Sequence, residues 1–103
     1  MTRTRLPHRR PSETVDLAFD GHHFAVTVGF YPDGRPGEVF TAGVKVGSHL
    51  DAILADACVA LSLLLQHGVE PAAVARTMGR AGDGTTPASV IGALGDLLVE
   101  LQP

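Results

Sequence analysis

The chain has no tryptophan, a single tyrosine, four phenylalanines, one cysteine and one lysine in 103 residues. With so few aromatics, a core has to be assembled mainly from Val, Leu, Ile and Ala. A lone cysteine, Cys58, cannot close an internal disulfide, which excludes a disulfide-stapled secreted scaffold and fits a reducing compartment. The longest nearly unbroken apolar stretch, Ala57 to Leu65, is interrupted by Ser62 and falls short of the ~20 residues a bilayer span requires. The opening residues hold arginines but no apolar h-region, so no secretory signal is expected, and the expected compartment is the cytoplasm. A chain of this length forms one small domain, and association with a second copy would add to a modest core.

Charge is segregated. Arg3, Arg5, Arg9 and Arg10 give the first ten residues +4, while the rest holds four basic and eleven acidic residues, about −7. An acidic body is a poor match for a phosphate backbone, so nucleic-acid binding is not expected of it. Residues 1–13, rich in arginine and proline without hydrophobic periodicity, read as a flexible basic arm, and residues 14–103 as a single α+β domain.

Val15, Leu17 and Phe19 alternate with polar or small residues in a first strand, and Phe24, Val26, Val28 and Phe30 do so in a second. Asp20-Gly21 marks the turn between them. Pro32-Asp33-Gly34 signals a second hairpin loop with a bulge, leading to a third strand over Glu38–Val46 with Gly43 as a further bulge candidate. From Ser48 the period becomes helical and continues to His67, with Ser48 and Asp51 as a capping pair and Gly68 as the left-handed stop. Leu50, Ile53, Leu54, Ala57, Leu61, Leu64 and Leu65 form its main apolar face; Ala52, Val59, Ala60 and Leu63 make the opposite side apolar too, especially in the C-terminal half, which should be covered on both sides.

Pro71 opens a short helix to about Met78, and Gly79–Thr85 is a loop. Thr86 as N-cap and Pro87 as first helical residue predict the start of the last helix. Its stripe of Ala88, Gly92, Gly95 and Val99 predicts close approach by another helix, taken to be the long one. The expected architecture is a three-stranded antiparallel meander followed by a long helix, a short helix and a C-terminal helix packed on one face.

Chemistry is sparse. His8, His22, His23, His49 and His67 have no metal-ligand spacing, and neither a metal nor another cofactor is expected. Cys58 lies in an apolar helix, where a thiol acts as a small hydrophobe. One candidate ligand site stands out: Lys45, Gly47, Ser48 and His49 put a cation, a flexible backbone and a hydroxyl at a helix start, where a nucleotide or other phosphate could bind. Asp51 in the first turn opposes such an anion. The strand order with its K-x-G-S step is also superficially similar to a double-stranded RNA-binding domain, but the basic cluster those domains use at that helix start is reduced here to one lysine. No catalytic residue is assigned.

Taken as an ordered set, VTVGFYPDGRPGEVFTAGVKVGSHLDAIL (Val26 to Leu54) and ALSLLLQHGVEPAAV (Ala60 to Val74) resemble the TSCPD domain, the small C-terminal module of many adenosylcobalamin-dependent ribonucleotide reductases. The Thr-Ser-Cys-Pro-Asp string that names the domain is missing, as is a Cys-x-x-Cys tail. The resemblance implies a free-standing bacterial member without the reductase's barrel, hence no complete reductase and no catalysis of its own. It implies an accessory or regulatory protein that acts by protein–protein association, with a ribonucleotide reductase as one candidate partner, while the two-sided apolar surface of the long helix is what predicts a homodimer.

Overall fold

The computed structural model describes residues 2–42 and 48–103, with side chains described from 49 onward in the second segment. Three strands, β1 (Ser12–Phe19), β2 (His22–Phe30) and β3 (Pro36–Ala42), form an antiparallel sheet in the order β1-β2-β3. Three helices follow: α1 (Ser48–Gln66), α2 (Pro71–Thr77) and α3 (Val90–Glu100). This is the α+β meander expected. The expected third strand extends to Val46; its residues 43–46, including the bulge candidate Gly43, lie outside the described residues.

Both hairpins follow from their turn residues. Asp20 and Gly21 have φ of 51° and 77°, the two positive values of a type I′ turn, whose twist suits a two-residue connection between Phe19 and His22. In the second, Gly34 takes φ 91° and donates its N–H to Tyr31 O, while the β2–β3 register shifts at Gly29/Phe30. At the end of α1, Gly68 has φ 89°, its N–H reaches Leu65 O, and the Val69 N–H reaches Leu64 O. These two bonds make a Schellman motif that satisfies the last carbonyls of the helix.

One face of the sheet carries the core. Phe24, Val26 and Val28 of β2 and Val39 of β3 pack with Leu54, Cys58, Leu61 and Leu65 of α1, Val74 of α2, and Leu94 and Leu98 of α3. The stripe α1 buries is narrower than its apolar pattern predicts. Leu50, Ile53 and Leu64, assigned to the core face, are exposed, as are Val59 and Leu63 opposite. The reason is the helix's position alongside β3, where Ser62 and Gln66 turn to the strand and only one row of side chains reaches the core.

That position closes one edge of the sheet. The Val39 N–H donates to Ser62 Oγ (2.9 Å), the Ser62 hydroxyl donates to Val39 O (3.1 Å), and Gln66 Nε2 donates to Gly37 O (2.9 Å). Residues two apart on a strand rise ~6.6 Å, and residues four apart on a helix rise ~6 Å, so the two repeats match over this span. Three of the peptide groups β3 turns away from β2, the Val39 N–H, Val39 O and Gly37 O, are thereby capped by α1.

Two expectations about the last helix are corrected. Its N-cap is Ser89, whose Oγ accepts from the Gly92 N–H (3.2 Å), and not Thr86; Pro87 pairs instead with Arg80 in an isolated bridge. Asp83 takes the Thr86 hydroxyl and the Thr85 and Thr86 N–H groups, which holds residues 83–86 in a turn. The small-residue stripe faces α2, not α1. A Cβ on Gly95 would lie 3.3 Å from Ala75 Cα, and one on Gly92 would lie 3.4 Å from Met78 Cβ.

Residues 3–11, within the expected arm, cross the far end of this assembly. Arg3 Nε donates to Gln66 Oε1 (2.6 Å), the Thr4 N–H to Gln66 O (2.7 Å), and the Tyr31 hydroxyl to Thr4 O. Arg10 grips Glu38 through Nε (2.5 Å) and Nη2 (3.1 Å) above Gly29, where any side chain would strike the Glu38 carboxylate. α1 has no basic residue in its last turn, and Arg3 brings a cation to that negative helix end.

Candidate functional site

The helix start proposed from sequence is only partly within the described residues. Lys45 and Gly47 lie outside them; Ser48 is the first residue of α1, and His49 is exposed beside it. Asp51 stands in the first turn, where its charge complements the helix dipole and opposes a bound phosphate.

Among the described residues, no cluster of three or more His, Cys, Asp or Glu side chains could hold a metal ion. The His23 Nδ1 lies 2.9 Å from Asp16 Oδ2 on the solvent face, and His67 Nδ1 lies 2.8 Å from Leu63 O in its own helix. Cys58 is buried, and burial pushes its thiol pKa up, against a weaker downward pull from hydrogen bonds with Thr41. A thiol so placed is a packing residue and not a nucleophile.

What the fold does display is apolar surface on α1. Ile53 and Val59 are 59% and 60% exposed, and Leu50, Leu63 and Leu64 are also exposed. Residues 49–66 have a mean hydropathy of 1.5, enough by length and composition for a bilayer crossing. One row of this helix packs in the core and Ser62 and Gln66 clip β3, so a core helix accounts for the inner side and leaves the outer side without an intramolecular partner among the described residues.

Two hollows border that helix. One, of about 310 Å³, is walled by Phe19 and Phe24, by Leu50, Ile53 and Leu54, and by Val90 and Ile91. The other, of about 410 Å³, follows the α1–β3 seam between Phe40 on one side and Val59 and Leu63 on the other, with Arg3 and Glu38 at its end. The first also has Asp20, His22 and Ser89 on its wall, but among the described residues no hydrogen bond joins any two of them and the Ser89 hydroxyl accepts the N-cap bond from Gly92, so the arrangement suits binding of an apolar surface better than chemistry. Sequence reading found the doubly apolar helix; it missed the seam, because Phe40's place beside Val59 depends on how α1 lies against β3.

A profile of the TSCPD domain matches residues 2–102. The vitamin B12-dependent ribonucleotide reductase of Rhodopirellula baltica is 45% identical over 67 residues, 65% of this chain and 6% of that protein. The reductases so named from Bradyrhizobium diazoefficiens and Streptantibioticus cattleyicolor are 37% and 39% identical over the same length, covering 5% and 11% of those proteins. No solved structure matches the chain. The chain thus spans a small fraction of the curated relatives it matches, and over nearly its whole length it belongs to the TSCPD domain family.

Proposed function

We infer that this chain is a cytoplasmic, non-catalytic accessory module that acts by protein–protein association, forming a homodimer and docking on a ribonucleotide reductase. One observation carries the docking half of the reading: a sequence shared at 45% identity with a segment of a vitamin B12-dependent reductase folds here into a body whose central helix leaves large apolar side chains exposed on two flanks, Leu50, Ile53 and Leu64 on one and Val59 and Leu63 on the other. On a helix with few charged side chains, such exposure favours a protein partner.

The test is affinity capture from the native host with the full chain as bait, read by mass spectrometry. A ribonucleotide reductase in the eluate, retained at moderate salt, is the expected result. Its absence from eluates of cells that express the enzyme overturns the docking half of the proposal. Sedimentation of the purified chain checks the other half, where a strict monomer at high concentration overturns the homodimer. The alternative, a nucleotide or phosphate at Lys45, Gly47, Ser48 and His49, has Asp51 against it, and a melting temperature unmoved by a nucleotide panel removes it.

A further inference from the structure

The two edges of the sheet are treated differently. β3 is closed by α1, while β1, at the other side, pairs among the described residues with β2 alone over all eight of its residues, with no bulge and no proline. Proteins usually protect a strand edge by such devices or by covering it.

The direction of the β1 peptide groups follows from the ladder. In an antiparallel pair, residues that exchange hydrogen bonds alternate with residues that turn their N–H and C=O away. Val39 turns both groups to Ser62, so its partner Val28 bonds toward β1 instead; the Phe30 N–H bond to Pro11 O continues the same parity. Hence Glu13, Val15 and Leu17, opposite Val28, Val26 and Phe24, bond inward. Ser12, Thr14, Asp16 and Ala18 present their backbone groups outward, and among the described residues no hydrogen bond reaches those groups. Beside this open row, Val15, Leu17 and Phe19 are only half-buried.

We propose that the homodimer forms here, by antiparallel pairing of β1 with the same strand of a second copy, giving one continuous six-stranded sheet across a two-fold axis and leaving the outer face of α1 free for the reductase. This placement rests on the homodimer reading above.

Parity and charge select the register. Outward-facing residues must meet outward-facing residues, so even positions pair with even positions. Centring on Asp16 would set two carboxylates face to face, and centring on Glu13 would do the same. Centring on Thr14 avoids this but pairs only Ser12 to Asp16. Centring on Val15 pairs Ser12 to Ala18 and places Asp16 opposite the partner's Thr14 hydroxyl and Glu13 opposite the partner's Leu17. No carboxylates oppose each other, and the half-buried Val15 meets the partner's Val15 at the axis. An isologous contact of this kind is the commonest way for two identical chains to close.

The experiment is disulfide trapping in the full chain. At the axis Val15 and the partner's Val15 form a non-hydrogen-bonded pair, with Cα atoms ~4.5 Å apart, inside the ~4.4–6.8 Å range a disulfide spans. Val15→Cys, oxidised at low protein concentration, is expected to migrate on a non-reducing gel at twice the 10.7 kDa of the chain, and Val59→Cys on the α1 face is not. Buried Cys58 is present in both and supplies the background.

A second variant covers a failure of Val15→Cys to fold. Thr14→Pro removes an outward N–H and no backbone bond to β2, and is expected to weaken the dimer at least tenfold in sedimentation with an unchanged far-ultraviolet spectrum; Thr14→Val, which removes only the exposed hydroxyl contact with Thr27 (2.8 Å), is expected to leave the dimer intact. Trapping by Val59→Cys but not Val15→Cys, or a Thr14→Pro chain as dimeric as the parent, overturns the β1 placement while leaving the homodimer standing. A strictly monomeric parent chain overturns the homodimer itself and this placement with it.

Discussion

Ser62 shows how one side chain acts at two levels. In the sequence it interrupts an apolar run; in the fold its hydroxyl both accepts from and donates to the backbone of Val39. Replacing it with alanine leaves both strand groups short of a partner in a half-buried seam, and Ser62→Ala is expected to cost about 1–3 kcal/mol in urea denaturation. Ser62→Thr, which keeps the hydroxyl, is expected to recover most of that loss. Gln66 belongs to the same seam, its amide joining the arm to β3. Cys58 supplies a second prediction. Buried, with its pKa raised chiefly by that burial, it is expected to react with a thiol reagent at pH 8 only as fast as the chain opens, and at the free-cysteine rate in denaturant. Rapid labelling of the folded protein would contradict that. Periodicity shows which positions are apolar, but not that a serine in the run bonds to a strand some twenty residues earlier, because that contact depends on the placement of the whole helix.

Among elements, the α2–α3 pair rests on close approach and on one charged clamp. Gly95 sits against the α2 backbone at Ala75, so Gly95→Ala gains about 1 kcal/mol of helix propensity and loses about 1–3 kcal/mol to crowding. The expected net effect is destabilising, whereas Gly82→Ala, in open space, is expected to be near neutral; thermal melts of the two separate packing from propensity. The clamp is Arg80, which meets Asp96 through Nη1 (2.8 Å) and Nη2 (2.9 Å) and also donates to Ala75 O and Thr85 O. The hydrogen bonds from Arg80 hold the Asp96 carboxyl below its ordinary value of 3.8. Because the folded-state pKa is the lower one, the stabilisation is present above pH 3.8 and is lost as pH falls through the depressed value. Asp96→Asn is therefore expected to lower the melting temperature at neutral pH, with the gap from the parent closing as pH falls below 3.8; a gap independent of pH would refute the assignment. The strands, their turns and the long helix were legible because each is written locally, in alternation, in Asp20-Gly21 and in Gly68. The start of α3 was not. Thr86-Pro87 has the composition of a helix entry, but Asp83 takes the Thr86 hydroxyl and Pro87 pairs with Arg80, so the helix waits for Ser89. The glycine stripe signals close approach, but small residues do not name the element that approaches, which here is α2.

For the whole molecule, the question is what the exposed side of α1 is for. The inner stripe is already filled by the core, so the outer side chains contribute little to the stability of a single chain. Val59 is 60% exposed, and lysine is a better helix former than a β-branched residue, so Val59→Lys is expected to change folding stability by no more than about 0.5 kcal/mol. If this face docks on a reductase, the same substitution places a charge inside an apolar contact, and recovery of the enzyme from host lysate is expected to fall at least tenfold. A substitution on the opposite face of the sheet, Thr27→Lys, controls for the added charge and is expected to leave recovery unchanged. Equal recovery with all three proteins would show that α1 is not the docking surface. A Val59→Lys chain that unfolds would show that its exposure in isolation understates its role in the fold. Loss of recovery with melting temperature preserved assigns the outer face of α1 to the partner, because only a contact outside the single chain can respond to a change the chain itself tolerates.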